Sequence, residues 1–374
     1  MNLKALIAHI PNSVKLAVLA VLATKLLVLM IGYTVTAINI GPASPLTVLE
    51  QMFLHWDSIN YQTIAKNGYV PTGNDSVFIV FFPLFPLLIR MFTFDFAYIN
   101  IIAIVVANVC SLIAFTYLYK LTKMEFNEGV AQKAVMFLSI FPLAYFLSAP
   151  YTEGLFFALV ISCLYYARKS RWLLAGLLGF LSSLTRLQGL LMLLVLLVEY
   201  YHQSGWNPKK NRWTVLCVLL PLVGFLIYLG LNQTVMGSPF SFVGIQANHF
   251  TEHFDPWTGL NRAFDWTVHR SFPDNLTIGA VPLASAVFGL VMIGGAVWKQ
   301  LRIAYITYML LSWGVAVSVS WWISVPRYIF AMFPIFMLLG AYANKRWVNI
   351  IMGALSIAAL CFFTVIFALG RWAF

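Results

Sequence analysis

Apolar runs, most of about 17–25 residues, follow one another along nearly the whole chain, and runs of that length can cross roughly 30 Å of hydrocarbon as helices. Lipid offers a backbone amide no partner, so a crossing segment must satisfy its own hydrogen bonds. The runs lack the two-residue alternation of a barrel strand, which leaves the helix. Charged residues are only 9% of the chain, against about 25% in a soluble domain. These features predict an all-α polytopic membrane protein. The first run, from about Val14 to Ile38, is too long for a cleaved signal core and no small-residue cleavage site follows it convincingly, so it reads as a retained span.

Charge sets the orientation. Basic residues gather at Lys4 and Lys15; Lys120, Lys123 and Lys133; Arg168, Lys169 and Arg171; Lys209, Lys210 and Arg212; Lys299 and Arg302; and Lys345 and Arg346. These groups hold 15 of the 23 Lys and Arg residues, and by the positive-inside rule they mark the cytoplasmic face. The net charge of +11 is thus a topology signal and not a nucleic-acid footprint. Keeping every group inside requires that one early apolar run not cross. The segment 78–94 is that run, because Pro83 and Pro86 remove amide donors and break a regular helix. It is expected to form an outer juxtamembrane or re-entrant element. About eleven crossings remain, near 14–38, 97–119, 132–149, 151–168, 172–184, 187–201, 213–235, 278–298, 302–322, 327–342 and 347–370. One membrane domain over 1–374 is expected, with outer loops 39–77 and 236–277 forming the active face.

On that face stand the residues with chemistry. Asp57, in the run His55-Trp56-Asp57-Ser58, follows the first span and opens a semi-regular stretch to Gly68. It reads equally as a helix N-cap and as a catalytic carboxylate. Glu153 begins a span, either as a first-turn acid favoured by the helix dipole or as a polar group aimed into a cavity. Arg186 and Arg327 join apolar runs at outer turns, where the positive-inside rule gives no reason for a cation. Each suits a lipid phosphate, which guanidinium binds with two hydrogen bonds, or serves as an anchor reaching toward headgroups. Arg270 in the large loop is a third candidate.

Other chemistries find little support. His249 and His253 have the spacing of two metal ligands but lack the His-Glu-x-x-His order. A divalent metal is compatible with the chemistry, yet no ligand set is evident, and no cofactor is required. Cys110, Cys163, Cys217 and Cys361 lie scattered within apolar runs and read as packing residues. No P-loop, dinucleotide-binding glycine pattern or Gly-x-Ser-x-Gly elbow occurs.

Taken in order, His55-Trp56-Asp57-Ser58 with Tyr61, Ile64-Ala65 and Gly68-Tyr69, then FFPLFP at 81–86, Phe141-Pro142 through Tyr151-Thr152-Glu153, Thr185-Arg186 and Val325-Pro326-Arg327-Tyr328 resemble one family. It is the GPI mannosyltransferase II (phosphatidylinositol-glycan class V) family of the GT-C membrane glycosyltransferases, and the short loops here resemble a prokaryotic relative. The resemblance implies a GT-C-like bundle and transfer of a hexose, mannose in eukaryotic members, from a polyprenyl-phosphate-sugar donor to a lipid-linked or glycan acceptor. It also implies inversion of the anomeric centre on the non-cytoplasmic face of the membrane. That membrane is expected to be a prokaryotic plasma membrane, or the endoplasmic reticulum in a eukaryote.

The acid of the first outer loop, Asp57, then becomes the general base. Arg327, Arg186, Tyr328 and Arg270 are expected to hold the donor phosphate, and His55, Trp56, Tyr61, Phe82, Pro83, Tyr151, Glu153 and Gln188 to wall the substrate cavity. The alternative is a transporter or lipid flippase, which would place its ionisable groups nearer the midplane and often repeat its halves.

Overall fold

The computed structural model describes residues 12–205, 207, 212–343 and 345–374; Lys4, Lys209 and Lys210 of the basic groups lie outside the described residues. The described chain is helical, and its one extended pairing is an isolated antiparallel bridge between Phe254 and Val319. α1 (Asn12–Ile40) and the short α2 (Pro45–Gln51) lead to α3 (Asp57–Asn67), a tight turn at Asn74–Val80 and α4 (Leu84–Phe92). Then come α5 (Ile99–Glu125), α6 (Glu128–Ile140), α7 (Glu153–Arg168), α8 (Trp172–Ser183) and α9 (Leu191–Gln203). α10 (Arg212–Val218), α11 (Leu220–Met236), α12 (Ser241–His249) and α13 (Pro256–His269) precede the last group. That group is α14 (Val281–Trp298), α15 (Ile303–Val317), α16 (Val325–Phe330), α17 (Pro334–Tyr342) and α18 (Arg346–Ala368).

Four continuous stretches are long and apolar enough to cross a membrane, Val18–Ile40, Phe96–Glu125, Asn275–Trp298 and Arg346–Ala368, and the number rises to seven if each bent pair is one span. The other expected crossings are shorter helices. The apolar run 132–149, for example, leaves α6 at Ile140 and continues as turns around Ala144–Leu147. Large apolar side chains such as Leu22 and Leu26 on α1, and Ile350 and Leu355 on α18, stay exposed, as a surface facing lipid requires. The chain is an integral membrane protein.

The three bent pairs matter most for the site. Asn74–Val80 and α4 meet at 112°, α11 and α12 at 74°, and the stretch Trp322–Phe330 and α17 at 66°. Broken backbone is tolerated at membrane depth only where protein satisfies its polar groups. At the first break the Leu84 amide donates to the Leu184 carbonyl at 2.9 Å. The Tyr228 and Tyr69 hydroxyls donate to the carbonyls of Ile79 and Phe81 at 2.8 and 2.7 Å. The 78–94 element is therefore sharply bent, as the paired prolines predict.

α7 is the axis of the bundle, since every residue from Glu153 to Leu164 is buried. A helix apolar on all sides needs neighbours on all sides. α5 comes close because Gly154 lacks a side chain: a Cβ there would lie 2.9 Å from the Ala107 carbonyl oxygen. With 16 residues, α7 is about 24 Å long at 1.5 Å per residue. Each end carries buried ion pairs. At its carboxyl end Arg168 pairs with Glu125, the Tyr305 hydroxyl donates to Glu125 at 2.7 Å, and Arg302 pairs with Glu199 at 2.7 Å. The other end begins with Glu153.

Candidate active site

The site forms where four chain segments far apart in sequence bring their charges to the amino-terminal end of α7. Asp57 is the first residue of α3, and the position before it falls to Trp56 at φ 52°, a left-handed conformation that is strained for a bulky residue. Ser58 secures the turn by donating its hydroxyl to the Phe53 carbonyl at 2.7 Å. The Asp57 carboxylate turns to Arg327, whose Nη1 donates to Oδ2 at 2.8 Å. Its observed partner is thus a distant guanidinium.

Arg327 sits on α16, the short helix beside the last break, with 7% of its surface exposed. Its Nε donates to Glu153 Oε1 at 2.7 Å, and the same oxygen accepts from Arg186 Nη1 at 3.1 Å. The guanidinium also lies over the rings of Phe146 and Tyr151, at 4.9 and 5.1 Å. Glu153 is 1% exposed, and its second oxygen has no hydrogen-bond partner among the described residues. Two acids and two arginines balance in formal charge. Burying Glu153 is tolerable because two cations share it; removing one member of such a buried pair costs about 3–5 kcal/mol.

Arg186 is delivered by a tight reversal after α8. Thr185 donates to the Leu181 carbonyl at 2.9 Å, and the chain then folds back so closely that a Cβ on Gly189 would lie 2.1 Å from the Ser182 carbonyl. The Arg186 guanidinium faces the rings of Phe156 and Tyr328 at 5.8 and 5.9 Å. Apart from the bond to Glu153, its N–H groups have no protein acceptor among the described residues.

Asp57, Arg186 and Arg327 line one cavity of 610 Å³, together with Trp56, Tyr61, Tyr328 and the aromatic rings of Phe81, Phe250, Trp321 and Trp372. A second cavity of 310 Å³ shares part of that wall, including Tyr61, Arg186, Gln246, Glu252 and Tyr328, and adds Phe82 and Gln188. Burial, and next the Asp57 charge, hold the Tyr61 phenol well above its ordinary range, so it stays protonated.

The remaining expected residues take different places. Glu153 and Tyr151 lie behind Arg327 and outside both cavity walls, and the Tyr151 hydroxyl donates to the His55 carbonyl at 2.8 Å. The His55 ring stands edge-on to Phe367 with Nε2 buried and unpartnered, and burial holds its pKa below the usual value. Phe82 stacks on Tyr228, ring centres 3.9 Å apart, while Pro83 precedes α4 and lines neither cavity. Arg270 is exposed over the Trp266 ring and stands apart from the cluster. His249 and His253 point to separate partners, the Phe250 ring and the Ser320 hydroxyl. Among the described residues no group of three or more His, Cys, Asp or Glu could hold a metal ion.

Gln246, Phe250, Glu252, Trp321 and Trp372 also line the larger cavity, although no motif singles them out. Glu252 is visible in the sequence as an outer-loop acid, but its position depends on contacts made far along the chain. The Ser320 hydroxyl donates to the Thr251 carbonyl at 2.8 Å, and the Ser320 amide donates to the His253 carbonyl at 2.9 Å. Gln246 donates its side-chain amide to the Glu252 carboxylate, whose pKa burial pushes up.

Among known structures the fold is similar to the apo form of the oligosaccharyltransferase of Archaeoglobus fulgidus, 11% identical, over 94% of this chain and 56% of that one, with a TM-score of 0.47. The same archaeal enzyme tethered to an acceptor peptide containing an NVT sequon gives 12% identity, 94% and 55% coverage, and a TM-score of 0.44. This chain thus spans just over half the length of those structures. Comparison with curated proteins finds no match. The family model for Mannosyltransferase (PIG-V) matches residues 44–270, which include Asp57, Glu153, Arg186 and Glu252. That match covers more than half of the sequence, and the chain belongs to the mannosyltransferase (PIG-V) family.

Proposed function

We propose that the protein transfers a hexose, mannose by family, from a polyprenyl-phosphate donor to a hydroxyl of a lipid-linked or glycan acceptor, inverting the anomeric carbon, with Asp57 as general base. The observation that carries this reading is a carboxylate held 2.8 Å from a buried guanidinium on the wall of a 610 Å³ cavity, with a second arginine beside it. In the step, the acceptor hydroxyl oxygen bonds to the sugar C1 as the bond from C1 to the phosphate oxygen breaks. The electron pair of that bond leaves with the lipid phosphate, and the hydroxyl proton passes to Asp57. With Oδ2 committed to Arg327, Oδ1, which accepts no hydrogen bond among the described residues, is the oxygen to receive it.

Charge develops on the departing phosphate, and preorganised cations are most effective there. Arg186, bonded once to Glu153, has donors to spare for that phosphate, while Arg327 combines phosphate contact with the orientation of Asp57. Tyr328 adds a hydroxyl on the same wall. The bent element around Phe81, Phe82 and Pro83 is the side along which we place the prenyl chain, because its apolar groups flank the cavities without bringing an acid to the phosphate.

We assign the reaction to the non-cytoplasmic face. α7 separates the Asp57–Arg327 cluster from Arg168, and Arg168 belongs to a basic group of the positive-inside pattern. The test is to incubate purified protein and acceptor extract with a panel of lipid-phosphate sugars, and to measure free polyprenyl phosphate by mass. Release from a mannosyl donor supports the reading; release from none of the panel rejects it.

A further inference from the structure

The two cavities are unlike in a way that divides the substrates between them. Asp57 and Arg327 line only the cavity of 610 Å³, Gln188 lines only the one of 310 Å³, and Arg186 lines both. Gln188 is 1% exposed, yet neither its amide oxygen nor its amide nitrogen has a partner among the described residues. Leaving a buried amide unpaired is costly, so an unpartnered amide on a residue of the cavity lining is suited to a polar ligand.

Further polar groups meet it there. Glu252 and Gln246 stand on the shared wall, bonded to each other, and the segment carrying Glu252 is pinned to Ser320 by the bonds described above. The rest of the lining is largely aromatic, with Tyr61, Phe82 and Phe242. A pyranose has this complementarity, because its ring carries hydroxyls that both donate and accept at the edge and C–H groups on the faces. The volume lies at the small end of ligand sites, about 300–1,000 Å³, and suits a single sugar better than an acceptor glycan.

Resting on the proposed transferase reading, we infer that the smaller cavity is the subsite for the transferred hexose, with the Gln188 amide and the Gln246–Glu252 pair reading its hydroxyls and Arg186 marking the passage to the phosphate. The acceptor occupies the larger cavity, where its hydroxyl reaches Asp57. Gln188 and Glu252 are accordingly specificity-determining residues for the sugar, and they leave the lipid phosphate to the arginines.

The experiment compares equilibrium binding of two probes, a short-chain prenyl-phosphate mannose and the same prenyl phosphate without sugar. Wild type, Gln188→Leu and Glu252→Gln are measured in detergent. Each substitution is expected to weaken the sugar-bearing probe about tenfold or more, the effect of one lost hydrogen bond to sugar, and to leave the bare prenyl phosphate within twofold. Glu252 is partly exposed, so its variant holds the fold even if Gln188→Leu disturbs the buried turn. An unchanged affinity of Glu252→Gln for both probes, or an equal loss for both, overturns the sugar subsite while leaving the transferase reading in place. Wild type that binds neither probe overturns both.

Discussion

Arg327 Nη1 and Asp57 Oδ2 lie 2.8 Å apart although 270 positions of chain separate them. The pair joins the start of α3 to a short helix beside the last break of the bundle, so the fold as a whole sets the distance. Glu153 completes the relation by accepting from the same guanidinium through Nε. Asp57 is thereby oriented by a cation that is itself anchored from behind.

That anchoring separates two carboxylates of the same cluster. Glu153→Gln leaves two arginines at the head of α7 without their shared buried countercharge, and is expected to cost about 3–5 kcal/mol. Asp57→Asn removes a partly exposed charge and leaves the Arg327–Glu153 pair in place, so its loss of stability is smaller. Thermal unfolding of the two variants in the same detergent gives the comparison, and the larger drop in Tm belongs to Glu153→Gln.

Arg186 is predicted to act through geometry as well as charge. Arg186→Lys keeps a cation but loses the fork that holds a phosphate with two hydrogen bonds and the planar face beside Phe156 and Tyr328. The KM for the lipid-phosphate donor should rise about tenfold, with a smaller change in the KM for acceptor. Steady-state kinetics with each substrate varied in turn measures this.

Acid stability should depend on His55. Burial holds its folded pKa below the ordinary imidazole value, an effect partly opposed by a hydrogen bond with the Ala368 backbone. The unfolded chain therefore binds its proton first as pH falls, and stability drops as pH passes from about 6.5 toward the lower folded pKa. His55→Gln should flatten that part of the stability profile. Unfolding midpoints between pH 7.5 and pH 5 for both proteins give the difference in slope.

Gly189 allows the reversal that delivers Arg186 and Gln188. A Cβ there would lie 2.1 Å from Ser182 backbone atoms, and backbone cannot swing aside as a flexible side chain can. Gly189→Ala is expected to cost about 1–3 kcal/mol and to reduce activity as Arg186 shifts. Paired unfolding and activity assays should show both losses.

Much of this architecture is legible in the sequence where a local rule is strained. Pro83 and Pro86 mark a break because proline removes amide donors, and the chain bends by 112° there. Arg186 and Arg327 are visible because cations at those turns oppose the positive-inside pattern, and Asp57 because a carboxylate follows the first span. Their convergence on one carboxylate, Glu153 Oε1, depends on the packing around α7 and has no local signature. The same holds for Glu252, whose loop is placed by Ser320. Span lengths are overread where apolar sequence continues through turns, as after Ile140. Arg270, picked out by residue type alone, sits in the open over Trp266.

In the proposed transfer Asp57 removes the acceptor proton as the sugar moves. Purified Asp57→Asn, shown to retain donor binding and a near-native Tm, should be assayed for acceptor-dependent release of polyprenyl phosphate from polyprenyl-phosphate mannose. A fall in kcat of roughly 10²–10⁴-fold with donor affinity preserved is the predicted result. Transfer at the wild-type rate would rule out Asp57 as the base.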